Sequence, residues 1–97
     1  MRNDYLDKLE NAWERASMQV QHTQREWSRA LARQRIAEQR ALALMMSAGT
    51  KREIALAAVE HLVILAHETA EKSAACDVAD AEVNFVEREM EQAEQAA

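Results

Sequence analysis

The sequence predicts an all-α protein: an antiparallel two-helix coiled-coil hairpin that self-associates into a four-helix bundle. Three observations carry this fold class. The 97 residues include one Gly and no Pro, too few turn-formers for a fold of strands and tight turns. The chain is punctuated strongly only once, near its midpoint. On either side of that break, apolar residues recur at alternating steps of three and four, the spacing of a heptad seam.

The first helix is predicted over about residues 3–47. Its seam runs through Leu6, Leu9, Trp13, Ala16, Val20, Thr23, Trp27 and Ala30. The turn is predicted at 48–50, where Gly49 suits the left-handed position that ends a helix. Thr50 and Glu53 then form a T-x-x-E capping box for the second helix, predicted over about 51–94. Its seam is assigned to Ile54, Ala58, Leu62, Leu65, Thr69, Lys72, Cys76, Ala79, Val83, Val86, Met90 and Ala93. A short connection makes the helices antiparallel neighbours. Folding about Gly49 pairs positions whose numbers sum to roughly 98. Trp13 is then expected against Phe85, and Trp27 near Ala70 to Ala74 with Lys72 beside its ring. Lys72 interrupts an apolar seam, and a polar seam residue fixes register. The whole chain, 1–97, reads as one domain, with no repeat and no linker.

Composition narrows function by exclusion. One Cys rules out a disulfide scaffold and a Cys-rich zinc site. No apolar run approaches the ~18 residues of a membrane span, and Met1-Arg2-Asn3-Asp4 opens the chain without a signal-peptide core. A cytoplasmic protein is the expectation. A single Gly cannot build a phosphate-cradling loop. His67-Glu68-Thr69-Ala70-Glu71 resembles a zinc-protease helix but has Glu in the second His position. Glu60, His67 and Glu71 share a face that reads as solvated. Cys76, on the seam, reads as a small buried hydrophobe. The expectation is therefore no enzyme, no catalytic residues, no metal and no cofactor.

Apolar surface exceeds one seam near the turn. On a wheel of 100° per residue, Val59 and Val63 lie roughly 100° from the seam of the second helix, with Leu56 beside them. Leu44, Met45 and Met46 approach from the first helix. These six residues form the predicted interface for another protein or a second copy, a homodimer being expected. Two rods alone have too little core, which points the same way.

Charge is segregated. The net charge is −5, with residues 1–48 at +2 and residues 49–97 at −7. Asp77, Asp80, Glu82 and Glu87 gather with Asp4, Asp7, Glu10 and Glu14 at the open end. Such an end attracts a basic partner or mimics a nucleic-acid backbone. Direct nucleic-acid binding through Arg25, Arg29 and Arg33 is disfavoured by the negative balance and the lack of interleaved aromatics.

In length and in turning at mid-chain, the sequence resembles the WXG100 family of secreted helical hairpins. Phe85-x-x-x-Glu89 stands where that family carries a C-terminal aromatic and acid. Gly49 follows Ser47 and Ala48, however, where the family has Trp-x-Gly. The resemblance implies a secreted helical hairpin. Small acidic chaperones and phage inhibitors share the composition. The functional expectation is a non-enzymatic interaction module: an adaptor, chaperone or inhibitor binding through apolar faces near the turn. The alternatives are an acidic mimic acting through the open end and a secreted WXG100-like hairpin.

Overall fold

In the computed structural model, which describes residues 4–96, the chain forms two long helices. Helix α1 spans Asp4–Met46 and helix α2 spans Arg52–Ala96. They lie side by side in a rod of 75 × 14 × 14 Å. Cross-helix contacts establish that they run antiparallel. Tyr5 reaches Glu89, Trp13 reaches Glu87, Lys72 reaches Glu26 and Arg33 reaches Glu68. The paired numbers sum to between 94 and 101, close to the value of 98 expected from folding about Gly49.

The turn is built differently from the sequence expectation. Gly49 has no positive φ. The Thr50 N–H donates to the Ser47 carbonyl at 3.2 Å, so a hydrogen-bonded four-residue turn reverses the chain without a left-handed residue. The capping box is also absent: among the described residues the Thr50 hydroxyl makes no hydrogen bond. Lys51 stands at the cap, its carbonyl accepting from the N–H groups of Ile54 and Ala55 at 3.1 and 3.2 Å. The helices accordingly end at Met46 and begin at Arg52, within a residue of the expected bounds.

Burial follows the three-four rhythm along both helices. On α1 it continues past Ala30 through Gln34, Ala37 and Ala41 to Leu44. On α2 it begins at Ala55 and ends at Ala93. Ile54 is 52% exposed and lies off the seam, with half-buried Ala55 in its place. The physical reason is register. The cross-helix contacts and the buried positions of both helices fit a register in which facing seam positions sum to 99, and this sets Leu44 against Ala55. The same rule sets Val20 level with Ala79 and Ala37 level with Leu62. Small faces large at these levels, which lets side chains interdigitate.

The core itself is thin. Its buried members are Ala16, Ala30, Ala37, Ala41, Ala79 and Val86, together with Thr23 and Thr69. No large side chain is fully buried. The two threonines satisfy their hydroxyls locally: Thr23 Oγ1 donates to the Val20 carbonyl at 3.0 Å and Thr69 Oγ1 to the Leu65 carbonyl at 2.9 Å. Trp13 is not packed against Phe85. Trp13 is level with Val86, remains 39% exposed, and donates its Nε1–H to Glu87 Oε1 at 3.1 Å. Phe85 is 56% exposed. Trp27 is half-buried and level with Lys72, whose ammonium turns to Glu26 at 3.4 Å.

A rod with so little core leaves much surface in water. The accessible area is 7554 Å², whereas a globular monomer of 11.0 kDa exposes roughly 5,600 Å². Among the described residues, no helix is long and apolar enough to cross a membrane.

Candidate interaction faces

With the seam occupied, each helix has two flanks, and the hairpin therefore has two long faces. One contains Val63 and the other contains Ile64. Three grooves and the cross-helix contacts fix which residues share a face.

On the Val63 face near the turn, Met45, Arg52, Ala55, Leu56 and Val59 line a groove of about 190 Å³. Leu56, Val59 and Val63 recur at steps of three and four beside the seam, as do Leu42 and Met45 on α1. Their exposure is substantial: Leu42 57%, Met45 62%, Leu56 54% and Val63 49%. Val59 is half-buried. Five apolar side chains thus form a strip that the seam does not use. Of the six interface residues expected from sequence, the structure groups Met45, Leu56, Val59 and Val63 here. Leu44 belongs instead to the seam and touches the groove on the opposite face. Met46, at the end of α1, is 84% exposed and lies outside the strip's groove. Leu42 joins the strip beyond the six expected residues, three positions from Met45 on the same side of α1.

Further along the same face, polarity changes. A groove of about 460 Å³ is lined by Ser17, Val20, Gln21, Asp80, Val83 and Asn84. Beyond it Glu87 lies opposite Glu10 and Glu14 of α1 at the open end, while Asp77 sits before Asp80, on the side of the groove nearer the turn. Glu82 departs from the expected acidic group, because its position in the seven-residue repeat turns it to the Ile64 face. The Val63 face is therefore apolar at the turn, small and polar in its middle, and acidic at its open end.

The Ile64 face carries a groove of about 420 Å³ near the turn, lined by Ala37, Arg40, Leu44, Glu53, Ile54, Ala57, Ala58 and His61. Further out, Arg33 Nη2 meets Glu68 Oε1 at 2.9 Å, and the Tyr5 hydroxyl donates to Glu89 Oε2 at 3.2 Å. That hydrogen bond, then loss of hydration and the Glu89 charge, raise the Tyr5 phenol above its usual value of 10.0. Glu60, His67 and Glu71 bring no further ligand with them. Among the described residues no three His, Cys, Asp or Glu converge closely enough to hold a metal ion. Cys76 is half-buried on the seam, level with Thr23.

No family model matches this chain, and no curated protein or solved structure is significantly similar to it.

Proposed function

We propose that the chain is a non-enzymatic protein–protein interaction module, an antiparallel coiled-coil hairpin that offers its turn-proximal Val63 face to an amphipathic helix of a partner protein. The single observation that carries this reading is the strip of Leu42, Met45, Leu56, Val59 and Val63. It is apolar, exposed and spaced to receive a helix. Contiguous exposed apolar residues of this kind mark interaction sites in water-exposed proteins. Met45 adds a flexible, polarizable side chain that adapts to a partner surface. Adaptor, chaperone and inhibitor are all roles such a module fills. The module is placed in the cytoplasm, where a lone thiol such as Cys76 stays reduced.

A second reading rests on the acidic open end of the same face. Asp77, Asp80 and Glu87 lie with Glu10 and Glu14 along one side of the rod, an arrangement that favours a basic partner or imitates a nucleic-acid backbone. Salt separates the readings. Binding through the acidic end weakens steeply as ionic strength rises, whereas binding through the apolar strip persists.

The direct test places charge in the strip with Val59→Glu and Val63→Lys together. Helix content by circular dichroism should be retained, because both sites lie outside the seam or at its edge. Partner capture from the native cell should fall sharply. Capture of the same partners by wild type and double variant would remove the apolar strip from the binding site.

A further inference from the structure

We infer that the Ile64 face is the site of self-association: two copies of this chain pack through it as a four-helix bundle, with both turns at the same end. This goes beyond partner binding and uses the opposite side of the rod, so the two fail independently.

The first ground is an apolar column with no intrachain role. Ala57, Ile64, Val78 and Phe85 follow a seven-residue spacing down α2, a column interrupted only by Glu71. The large members are 64%, 69% and 56% exposed, and Ile36 of α1, on the same face, is 68% exposed. A column spanning most of a helix is the pattern of a buried interface, not of scattered surface residues.

The second ground is charge complementarity, and it selects the occupant and its direction. On this face α1 carries Lys8, Arg15, Arg29, Arg33 and Arg40 against Glu26, a balance of +4. Helix α2 carries Glu68, Glu71, Glu82 and Glu89, a balance of −4. Among the described residues, Arg15, Arg29, Arg40, Glu71 and Glu82 have no ion-pair partner within the chain. A two-fold axis parallel to the rod lays α1 of one copy over α2 of the other. Every +4 flank then meets a −4 flank, twice. Turning the second copy end for end would lay α1 over α1 and oppose like charges, which is costly. The Val63 face offers no such match, since its open half is acidic on both helices.

The parallel arrangement also pairs residues in kind. Because this axis leaves height along the rod unchanged, positions whose numbers sum to 99 come level across the interface, and those that sum to 100 lie within one residue of level. Arg29 meets Glu71 of the second copy, and Ile36 meets Ile64 of the second copy. Arg15 lies over Phe85 of the second copy, where its stem covers the ring. The third ground is area. The chain exposes roughly 1,900 Å² more than a globular monomer of its mass, and a standard stable interface removes about 800 Å² per partner.

The experiment is sedimentation equilibrium of the full chain, with Cys76→Ser carrying a pyrene-labelled Ser47→Cys for orientation. The wild type should have twice the 11.0 kDa chain mass and dissociate as salt is raised. Arg29→Glu or Glu71→Arg alone should weaken the dimer roughly tenfold, since each reversal acts at two symmetry-related sites. The two together, R29E/E71R, should restore it. Pyrene at the turn should show excimer emission. A monomeric wild type overturns the inference, as does a dimer indifferent to both reversals and to salt. A dimer without excimer emission overturns the shared direction of the turns. A dimer abolished by Val63→Lys but untouched by Arg29→Glu assigns self-association to the other face and overturns it as well.

Discussion

Two residues show how local geometry departs from what their types suggest. Gly49, the one glycine, reads as a left-handed cap, yet its φ is not positive and a Cβ there would meet nothing within 4 Å. Its conformational freedom serves no purpose in the folded state and only enlarges the unfolded ensemble. Gly49→Ala should therefore stabilise the protein by about 0.4–1 kcal/mol, read as a higher denaturation midpoint at unchanged slope. Tyr5 is the second case. Its hydroxyl donates to Glu89, which with lost hydration and the carboxylate charge raises the phenol above 10.0. A folded-state value raised above the unfolded one means the contribution is present below pH ~10 and lost as pH rises through the raised value. Phenolate absorbance should show Tyr5 titrating above the free side chain, and Glu89→Ala should return it towards normal. The Tyr5–Glu89 contact spans 84 positions in sequence, so nothing local announces it.

At the scale of the helices, the seam stabilises by closeness and not by bulk. The buried positions of α1 are Ala16, Thr23, Ala30, Ala37 and Ala41, and small side chains there keep the two backbones near one another. Enlarging such a site has no room to succeed. Ala79→Leu, at a residue 3% exposed and level with Val20, should cost ~1–3 kcal/mol through overpacking. Trp13→Ala should cost clearly less than the ~3–5 kcal/mol of a buried tryptophan, because the ring is 39% exposed and its indole bonds an exposed carboxylate. Chemical denaturation of the two variants checks both. The heptad rhythm was legible for most of this seam, since Leu, Val and Ala recur audibly in the sequence. It was not legible past Ala30, where Gln34 interrupts it, nor at Ile54, where a large apolar residue outcompetes Ala55 in any reading by hydrophobicity.

For the whole molecule, the decisive quantity is surface. A rod with no large side chain fully buried has few independent means of stability, and in the proposed dimer association would supply what the hairpin lacks. The melting temperature should accordingly rise with protein concentration, as it does whenever the folded state alone self-associates. Calorimetry across a hundredfold range of concentration checks this, and a constant melting temperature would mean a stable lone hairpin. The faces divide the labour in the proposed assembly. The Ile64 face joins two copies, leaving two Val63 faces outward with their apolar strips at the same end. A partner with two helical docking segments would engage both strips, and linkage between them would raise its apparent affinity.

Sequence by itself determined the two helices, the place of their turn and most of the three-four seam, because one Gly, no Pro and a three-four rhythm leave a chain little else to form. It also located four residues of the apolar strip, Met45, Leu56, Val59 and Val63, which lie just off that rhythm. Tertiary structure alone decided the register. A seam rich in Ala tolerates several alignments when read from one helix at a time, and the contacts between the helices, Tyr5–Glu89, Trp13–Glu87, Glu26–Lys72 and Arg33–Glu68, select one. Register in turn decided the faces. It drew Leu44 into the seam, turned Glu82 away from the acidic group, and left Phe85 and Val78 in one exposed column with Ile64. Each follows from a rotation of about 100° per residue, which carries neighbours in sequence to different sides of a rod.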